Sequence, residues 1–253
     1  MASKKIYTFT GFDKVIFNGI ELNQVPTTLE DCRWDMIQTF VKDGSLGDHF
    51  DIGDTKTIRL SSGEEITMQL VSINDGTGDY GAYYPANTAD FVSLNATLSS
   101  DNMCDWADTE NPYYCSWSNS KARTKLNSTI FNKLPGDLRE IIVSKRHQYN
   151  RSIANPTANT YSYDYVYCED NLWLPTLAEM RGGEYGRETH AYNKDYTPLY
   201  NKKSFHNIRS TSSIQGYATS SIMVAQNLGF RSGTLTQLAN RTTYPVLIGF
   251  RIG

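Results

Sequence analysis

Apolar positions along this chain change their period several times, and each change marks an element. Ile6, Tyr7 and Phe9 are followed by Val15, Ile16 and Phe17, then by Ile20 and Leu22 beyond Asn18-Gly19. Asn-Gly between apolar runs predicts a hairpin, which either joins the main sheet or serves as an assembly arm. Over 27–43 the period lengthens to that of a helix: Leu29, Cys32, Met36, Ile37, Phe40 and Val41 keep helical spacing. Thr27-x-x-Glu30 and Thr28-x-x-Asp31 offer capping starts, and Gly44 offers the stop. Period two returns over 55–60 and 65–73, where Ile66, Met68 and Leu70 alternate beyond a Ser61-Ser62-Gly63-Glu64 turn. That is a second hairpin.

From Asn74 to Ser116 periodicity fades into small polar residues, with Phe91 to Leu98 the best strand candidate. Ala122, Leu126, Ile130 and Leu134 then recur four apart, which predicts a helix over 118–134. Pro135 ends it and starts another through Leu138, Ile141 and Ile142 to about 145. Between His147 and Asp170, Tyr161, Tyr163, Tyr165 and Tyr167 alternate, so a strand there carries four rings on one face. A tyrosine face packed on the scaffold is the plainer reading, a ligand-stacking platform the sharper one. Leu172-Trp173-Leu174 reads as a short buried strand, followed by a helix capped by Thr176-x-x-Glu179. A polar insertion over Gly182 to Lys203 precedes strands at Phe205 to Ser210, Ser221 to Ala225 and Phe230 to Leu235, with a turn at Asn227-Leu228-Gly229.

The stretch Pro245-Val246-Leu247-Ile248-Gly249-Phe250-Arg251-Ile252-Gly253 is apolar and strand-prone, so it is expected as a central or near-central strand. Val246, Ile248, Phe250 and Ile252 share one face. Leu247, Gly249 and Arg251 share the other, with room for a close neighbour at Gly249. Arg209 and Arg251 sit inside strands, where a buried guanidinium needs a carboxylate or carbonyl partner; both read as structural.

Composition narrows the function classes. The 253 residues suffice for a real core. A net charge of -3 with scattered Lys and Arg speaks against nucleic acid as the main partner. No apolar run reaches the ~20 residues of a membrane span, and Met1-Ala2-Ser3-Lys4-Lys5 lacks the apolar stretch of a signal peptide. Tyrosine is abundant, at 17, beside many Asn, Ser and Thr. Each carries a polar group that needs a partner when buried, and exposed they make adaptable binding surfaces.

Catalytic patterns are scarce. His49, His147, His190 and His206 are isolated in sequence, without H-E-x-x-H, and no G-x-S-x-G elbow, Walker loop or dinucleotide fingerprint occurs. Cys32, Cys104, Cys115 and Cys168 form no C-x-x-C pair. Cys104 and Cys115 are placed to pair if the protein works outside a cell; four reduced thiols is the plainer expectation. Asn74 to Asp79 and Asp101 to Glu110 concentrate oxygen ligands but miss the spacing of a calcium loop. The expectation is therefore no enzyme, no metal and no cofactor.

An ordered set of motifs carries a resemblance over roughly residues 30–253. Trp34-Asp35-Met36-Ile37 with Gly44, Phe50-Asp51-Ile52-Gly53-Asp54-Thr55-Lys56, the Gly63 hairpin, Trp117, Arg123-x-x-Leu126-Asn127 and Leu134-Pro135-Gly136-Asp137-Leu138 make up its first part. Leu172-Trp173-Leu174-Pro175, Glu179, Ile208-Arg209-Ser210 and Gly249-Phe250-Arg251-Ile252 complete it. Together they resemble an uncharacterised domain family of gut bacteria and their phages. That family is similar to the C-type-lectin-like fold of formylglycine-generating-enzyme relatives and of retroelement-diversified ligand-binding proteins.

The resemblance implies an α+β, C-type-lectin-like mixed fold with two or three helices on an antiparallel sheet, long irregular loops, and first and last strands joined. The domain organisation expected is an N-terminal extended arm or hairpin over 1–26, for attachment or oligomerisation, and a lectin-like domain over 27–253. The ligand face then lies just before the last strand. The candidate ligand residues there are Tyr185, Tyr192, Tyr196, Tyr200, Tyr217, Asn227, Arg231, Asn240, Arg241 and Tyr244. The opening Lys14-Val15-Ile16-Phe17-Asn18-Gly19-Ile20-Glu21-Leu22 is similar to the start of many phage tail and virion proteins. The implied role is a virion protein at a tail tip, fibre or capsid surface, made without a signal peptide. Its expected partners are a host-surface glycan or protein, other virion proteins and further copies of itself, without membrane insertion. A purely structural assembly protein and a cell-wall or capsule glycan hydrolase are the alternatives.

Overall fold

The computed structural model describes residues 15–17, 20–22, 26–76, 85–94, 114–115, 121–155, 160–175, 216–223, 226–231, 234–239 and 247–253. Across them the chain is α+β, and every paired strand is antiparallel. The N-terminal β1 (Val15–Phe17) and β2 (Ile20–Leu22) pair with each other as the Asn-Gly signal predicts. They form a two-stranded sheet of their own instead of joining the main one.

Helix α1 (Trp34–Asp43) starts later than its capping signals suggest. The Thr28 hydroxyl does donate to Asp31 Oδ2 at 2.5 Å and accept from the Asp31 N–H at 3.3 Å, but the bonds close a turn. Glu30 explains why. Its carboxylate accepts the Thr57 N–H at 2.6 Å and its carbonyl accepts from Lys56 Nζ at 2.7 Å, so tertiary contacts hold this stretch before the helix begins. Gly44 ends α1 as expected, with φ 79 and its N–H on the carbonyls of Phe40 and Val41. A single helical turn, α2 (Leu46–His49), follows.

The main sheet is built on β3 (Thr55–Arg59), β4 (Glu65–Asn74) and β5 (Thr88–Ser93). The strand expected over Phe91 to Leu98 thus begins earlier, at Thr88, and residues 95–98 lie outside the described part. Along β4, Ile66, Met68 and Leu70 alternate as expected, yet Ile73 is out of phase with them. A bulge at Val71 restores the phase: Leu70 opposes Phe91 while Ser72 opposes Asp90. Ile73 returns to the apolar side, and Ser72 and Asn74 to the other.

β6 (Tyr114–Cys115) precedes α3 (Lys121–Lys125), which loosens into a π-helical turn (Leu126–Ile130) and a 3-10 turn (Phe131–Lys133). Leu126, Ile130 and Leu134 are buried along it, as their spacing predicts. The helix expected to reach residue 145 is a correction: α4 (Gly136–Arg139) is one turn. Ile142 and Val143 form β7, opposite Ile252 and Arg251, because β-branched residues beside an open sheet edge gain more from pairing than from helix.

β8 (Lys145–Asn155) and β9 (Thr160–Asp170) make a long ribbon, with β6 on the outer side of β8. β10 (Leu172–Trp173) is the short buried strand expected there. Residues 176–215 lie outside the described part, and with them the helix expected after Thr176 and the strand at Phe205 to Ser210. β11 (Gly216–Met223), β12 (Gln226–Arg231) and β13 (Thr234–Ala239) form a three-stranded sheet lying against β8. This corrects two expectations. Asn227-Leu228-Gly229 lies within a strand instead of a turn, and the stretch Phe230 to Leu235 spans two strands, with Arg231 opposite Thr234.

β14 (Gly249–Ile252) is central, as expected: it runs between β5 and β10, with β7 also alongside. Among the described residues the last strand is thus not joined to the first. Its apolar face meets the core, where Phe250 stacks on its cross-strand partner Phe91 at 5.3 Å and Trp34 of α1 packs edge-on against both rings.

Candidate functional site

The other face of the main sheet is also buried, but it is polar. Gln69, Ser72, Asn74, Thr88, Asp90, Lys145 and Arg251 are all at most 8% exposed. At its centre Arg251 Nε donates to Asp90 Oδ1 at 2.6 Å and Nη2 to Oδ2 at 2.9 Å, a two-pronged pair between β14 and β5. Lys145 Nζ, from the start of β8, lies 3.3 Å from Asp90 Oδ2 and 3.9 Å from the centre of the Trp173 ring on β10. Strand β14 and the base of the ribbon therefore converge on one carboxylate of β5, and the Trp173 ring of β10 covers the lysine. Burial alone would raise the Asp90 pKa; the Arg251 and Lys145 charges outweigh it and hold the carboxyl below its usual range.

Beside this cluster the stem of the late segment is closed sterically. Trp173 opposes Gly249 and Leu172 opposes Phe250 across β10 and β14. A Cβ at residue 249 would lie 2.4 Å from the Trp173 ring, so only glycine admits the indole. The close neighbour expected at Gly249 is this ring.

The outer side of β10 is fastened by Asn127 in the π-helical turn. Its Oδ1 accepts the N–H groups of Asn171 (2.8 Å) and Leu172 (3.0 Å), and its Nδ2 donates to the Leu172 carbonyl at 2.9 Å. The side-chain amide thus stands where a neighbouring strand would. Arg123 Nε completes the clamp on buried Asp170 at 2.7 Å.

Of the ten candidate ligand residues, Tyr217, Asn227 and Arg231 lie on the β11–β13 sheet. Tyr217 is on the rung of Phe230 and Leu235, Arg231 on the next rung with Gly216 and Thr234, and Asn227 on the rung of Ile222 and Leu238. Adjacent rungs alternate between faces, so Asn227 and Arg231 share a face of β12 that Tyr217's rung does not. Tyr185, Tyr192, Tyr196, Tyr200, Asn240, Arg241 and Tyr244 fall outside the described residues.

The groups considered for chemistry are engaged otherwise or lie elsewhere. Cys32 and Cys168 are free and buried; burial raises both thiols, Cys168 to about 11. The His49 ring packs at 4.1 Å from that of Phe40. Asn74 takes the Ser72 hydroxyl at 2.6 Å and donates to Thr88 Oγ1 at 2.9 Å. His190, His206, Cys104 and 101–110 lie outside the described residues. Among the described residues no three His, Cys, Asp or Glu side chains are grouped to hold a metal, and no helix is long and apolar enough to cross a membrane.

Sequence reasoning identified Arg251 as needing a partner but missed Asp90 and Lys145. An isolated aspartate inside the apolar run Ala89 to Val92 was the available signal for the first. Nothing local marked Lys145. Compared with protein-family models, with curated proteins and with solved structures, the chain matches none.

Proposed function

We propose that this chain is a lectin-like display domain of a phage virion that binds a host-surface glycan or protein, with residues 1–26 as its attachment or oligomerisation arm. One observation supports the reading above others: the stretch carrying all ten candidate ligand residues leaves the sheet after β10 and re-enters it at β14, and these strands are direct neighbours. A long polar segment, 176–246, is thereby held at both ends on a stem locked by Trp173 over Gly249 and by the Asp90 cluster. A stem fixed by buried contacts lets the displayed residues vary without unsettling the core, which suits binding surfaces on rigid scaffolds.

The test is binding of the purified chain to host cells and to a glycan array, together with antibody labelling of intact virions. Labelled virions with cell or glycan binding support the reading. Labelled virions with a fixed copy number and no outside ligand favour the purely structural role instead. Absence of both label and binding overturns the proposal.

A further inference from the structure

The path of the main sheet runs from β10 to β3, and at each end a side chain from another element meets the outer backbone. At β10 it is Asn127, which takes two N–H groups and one carbonyl. At β3 it is Glu30. This strand has β4 on one side only, and the Glu30 carboxylate accepts the Thr57 N–H at 2.6 Å, so that N–H turns away from β4. Backbone groups in an antiparallel pair alternate inward and outward along the strand, which turns those of Thr55 and Arg59 outward as well. Among the described residues Glu30 makes the only hydrogen bond to this outward row. Thr55 and Thr57 are half-buried and Arg59 is exposed, so solvent reaches it.

The carboxylate is positioned by contacts other than its own. Leu29 and Cys32, buried in the core, anchor the turn on either side of Glu30, Thr28 and Asp31 bond within it, and Lys56 Nζ donates to the Glu30 carbonyl at 2.7 Å.

An outward row of backbone groups is a template for another strand. The strand that fits this one is a second β3. Paired antiparallel about Thr57, Lys56 faces Ile58 and Thr55 faces Arg59 of the other copy, so no like charges oppose each other. The arrangement is two-fold symmetric and closes as a pair. Its central bond is the Thr57 N–H, the group that Glu30 occupies.

We infer that Glu30 guards the β3 edge against pairing with a second copy of this chain. The guard concerns the main sheet alone, and it stands apart from the display reading and from whatever assembly residues 1–26 make.

The experiment compares full-length variants with wild type by light scattering over a range of concentrations. Glu30→Ala is expected to at least double the apparent mass relative to wild type at the same concentration. Glu30→Gln keeps an acceptor for the Thr57 N–H and should stay at the wild-type mass. Glu30→Ala/Thr57→Pro removes the exposed donor, at an edge position that tolerates proline, and should return to it. A wild-type mass for Glu30→Ala overturns the guard, and so does association that persists in Glu30→Ala/Thr57→Pro, since the edge is then not the route. Hydrogen exchange on the wild-type chain tests the same bond without any variant. Corrected for intrinsic rates, the Thr57 amide should exchange about ten-fold more slowly than those of Thr55 and Arg59, and equal rates overturn the inference.

Discussion

The main sheet buries both faces with opposite chemistry. One face sets Ile66, Met68, Leu70, Phe91, Phe250 and Ile252 against Trp34, Ile37 and Val41 of α1. The other sets Asp90, Arg251 and Lys145 at its centre, within a polar surround. The apolar face gains from area removed from water and constrains direction weakly. The charged face gains little net energy, since desolvation offsets attraction, but separating any one partner leaves a buried charge unmatched. The difference teaches a division of labour: one face supplies stability, and the other fixes where the ribbon and the stem of the late segment attach.

The largest effect that would break this comparison is expected at Asp90. Asp90→Ala strands two buried cations and should cost about 3–5 kcal/mol, measured by urea unfolding. Replacing the cluster together, as Asp90→Leu, Lys145→Met and Arg251→Met, should cost far less. Phe250→Ala on the apolar face should also cost about 3–5 kcal/mol, so pH separates the two. Because the Asp90 pKa is lowered on folding, its contribution is fully present above the unfolded value of about 3.9 and is lost as pH falls below it. The apolar contribution has no such dependence. A wild-type chain whose acid unfolding is unchanged by the triple replacement would contradict the assignment.

Next comes the stem. Gly249→Ala forces a methyl into a buried indole and should cost about 3 kcal/mol, at the upper end for overpacking. In a Trp173→Ala background the same change should be nearly neutral. A double-mutant cycle checks this coupling, and simple additivity would refute the steric lock.

Asn127→Ala should cost about 2 kcal/mol through unmet backbone groups at Asn171 and Leu172. Hydrogen exchange at those two amides is the sharper readout. It should accelerate more than exchange in β3 and β4.

The smallest effect concerns the thiols. Cys32 and Cys168 should resist alkylation by iodoacetamide at pH 8 until urea unfolds the chain. For Cys168, raised to about 11, folding stability is fully present below the unfolded thiol value of about 8.5 and is lost as pH climbs through the folded one.

Much of the scaffold was legible because it is written in short-range pattern. The β3–β4 hairpin, the Gly44 stop, the Leu126, Ile130 and Leu134 spacing and the buried Leu172-Trp173-Leu174 strand each follow from neighbours within a few residues. The alternation of Pro245 to Gly253 even foretold a partner for Arg251 and a close approach at Gly249. The misreadings share one cause. The 27–33 stretch is a turn because Glu30 is engaged by Lys56 and Thr57, Ile142-Val143 is a strand because β14 lies beside it, and Asn227-Leu228-Gly229 is extended because β11 and β13 flank it. In each, a distant segment overrode a valid local preference of at most about 1 kcal/mol per residue.

By itself, then, the sequence determined the two hairpins, the body of α1 with its Gly44 stop, the apolar face of the sheet, and the abundance of tyrosine and amide side chains. Only the tertiary structure decided that Asp90, Lys145 and Arg251 meet, that the Val71 bulge re-phases β4, that β10 and β14 form one stem, and that Tyr167 lies exposed at the ribbon base. The reason is physical. Periodicity records which side of an element is apolar, whereas the pairing of charges and strands far apart in the chain depends on which packed arrangement satisfies every buried polar group at once.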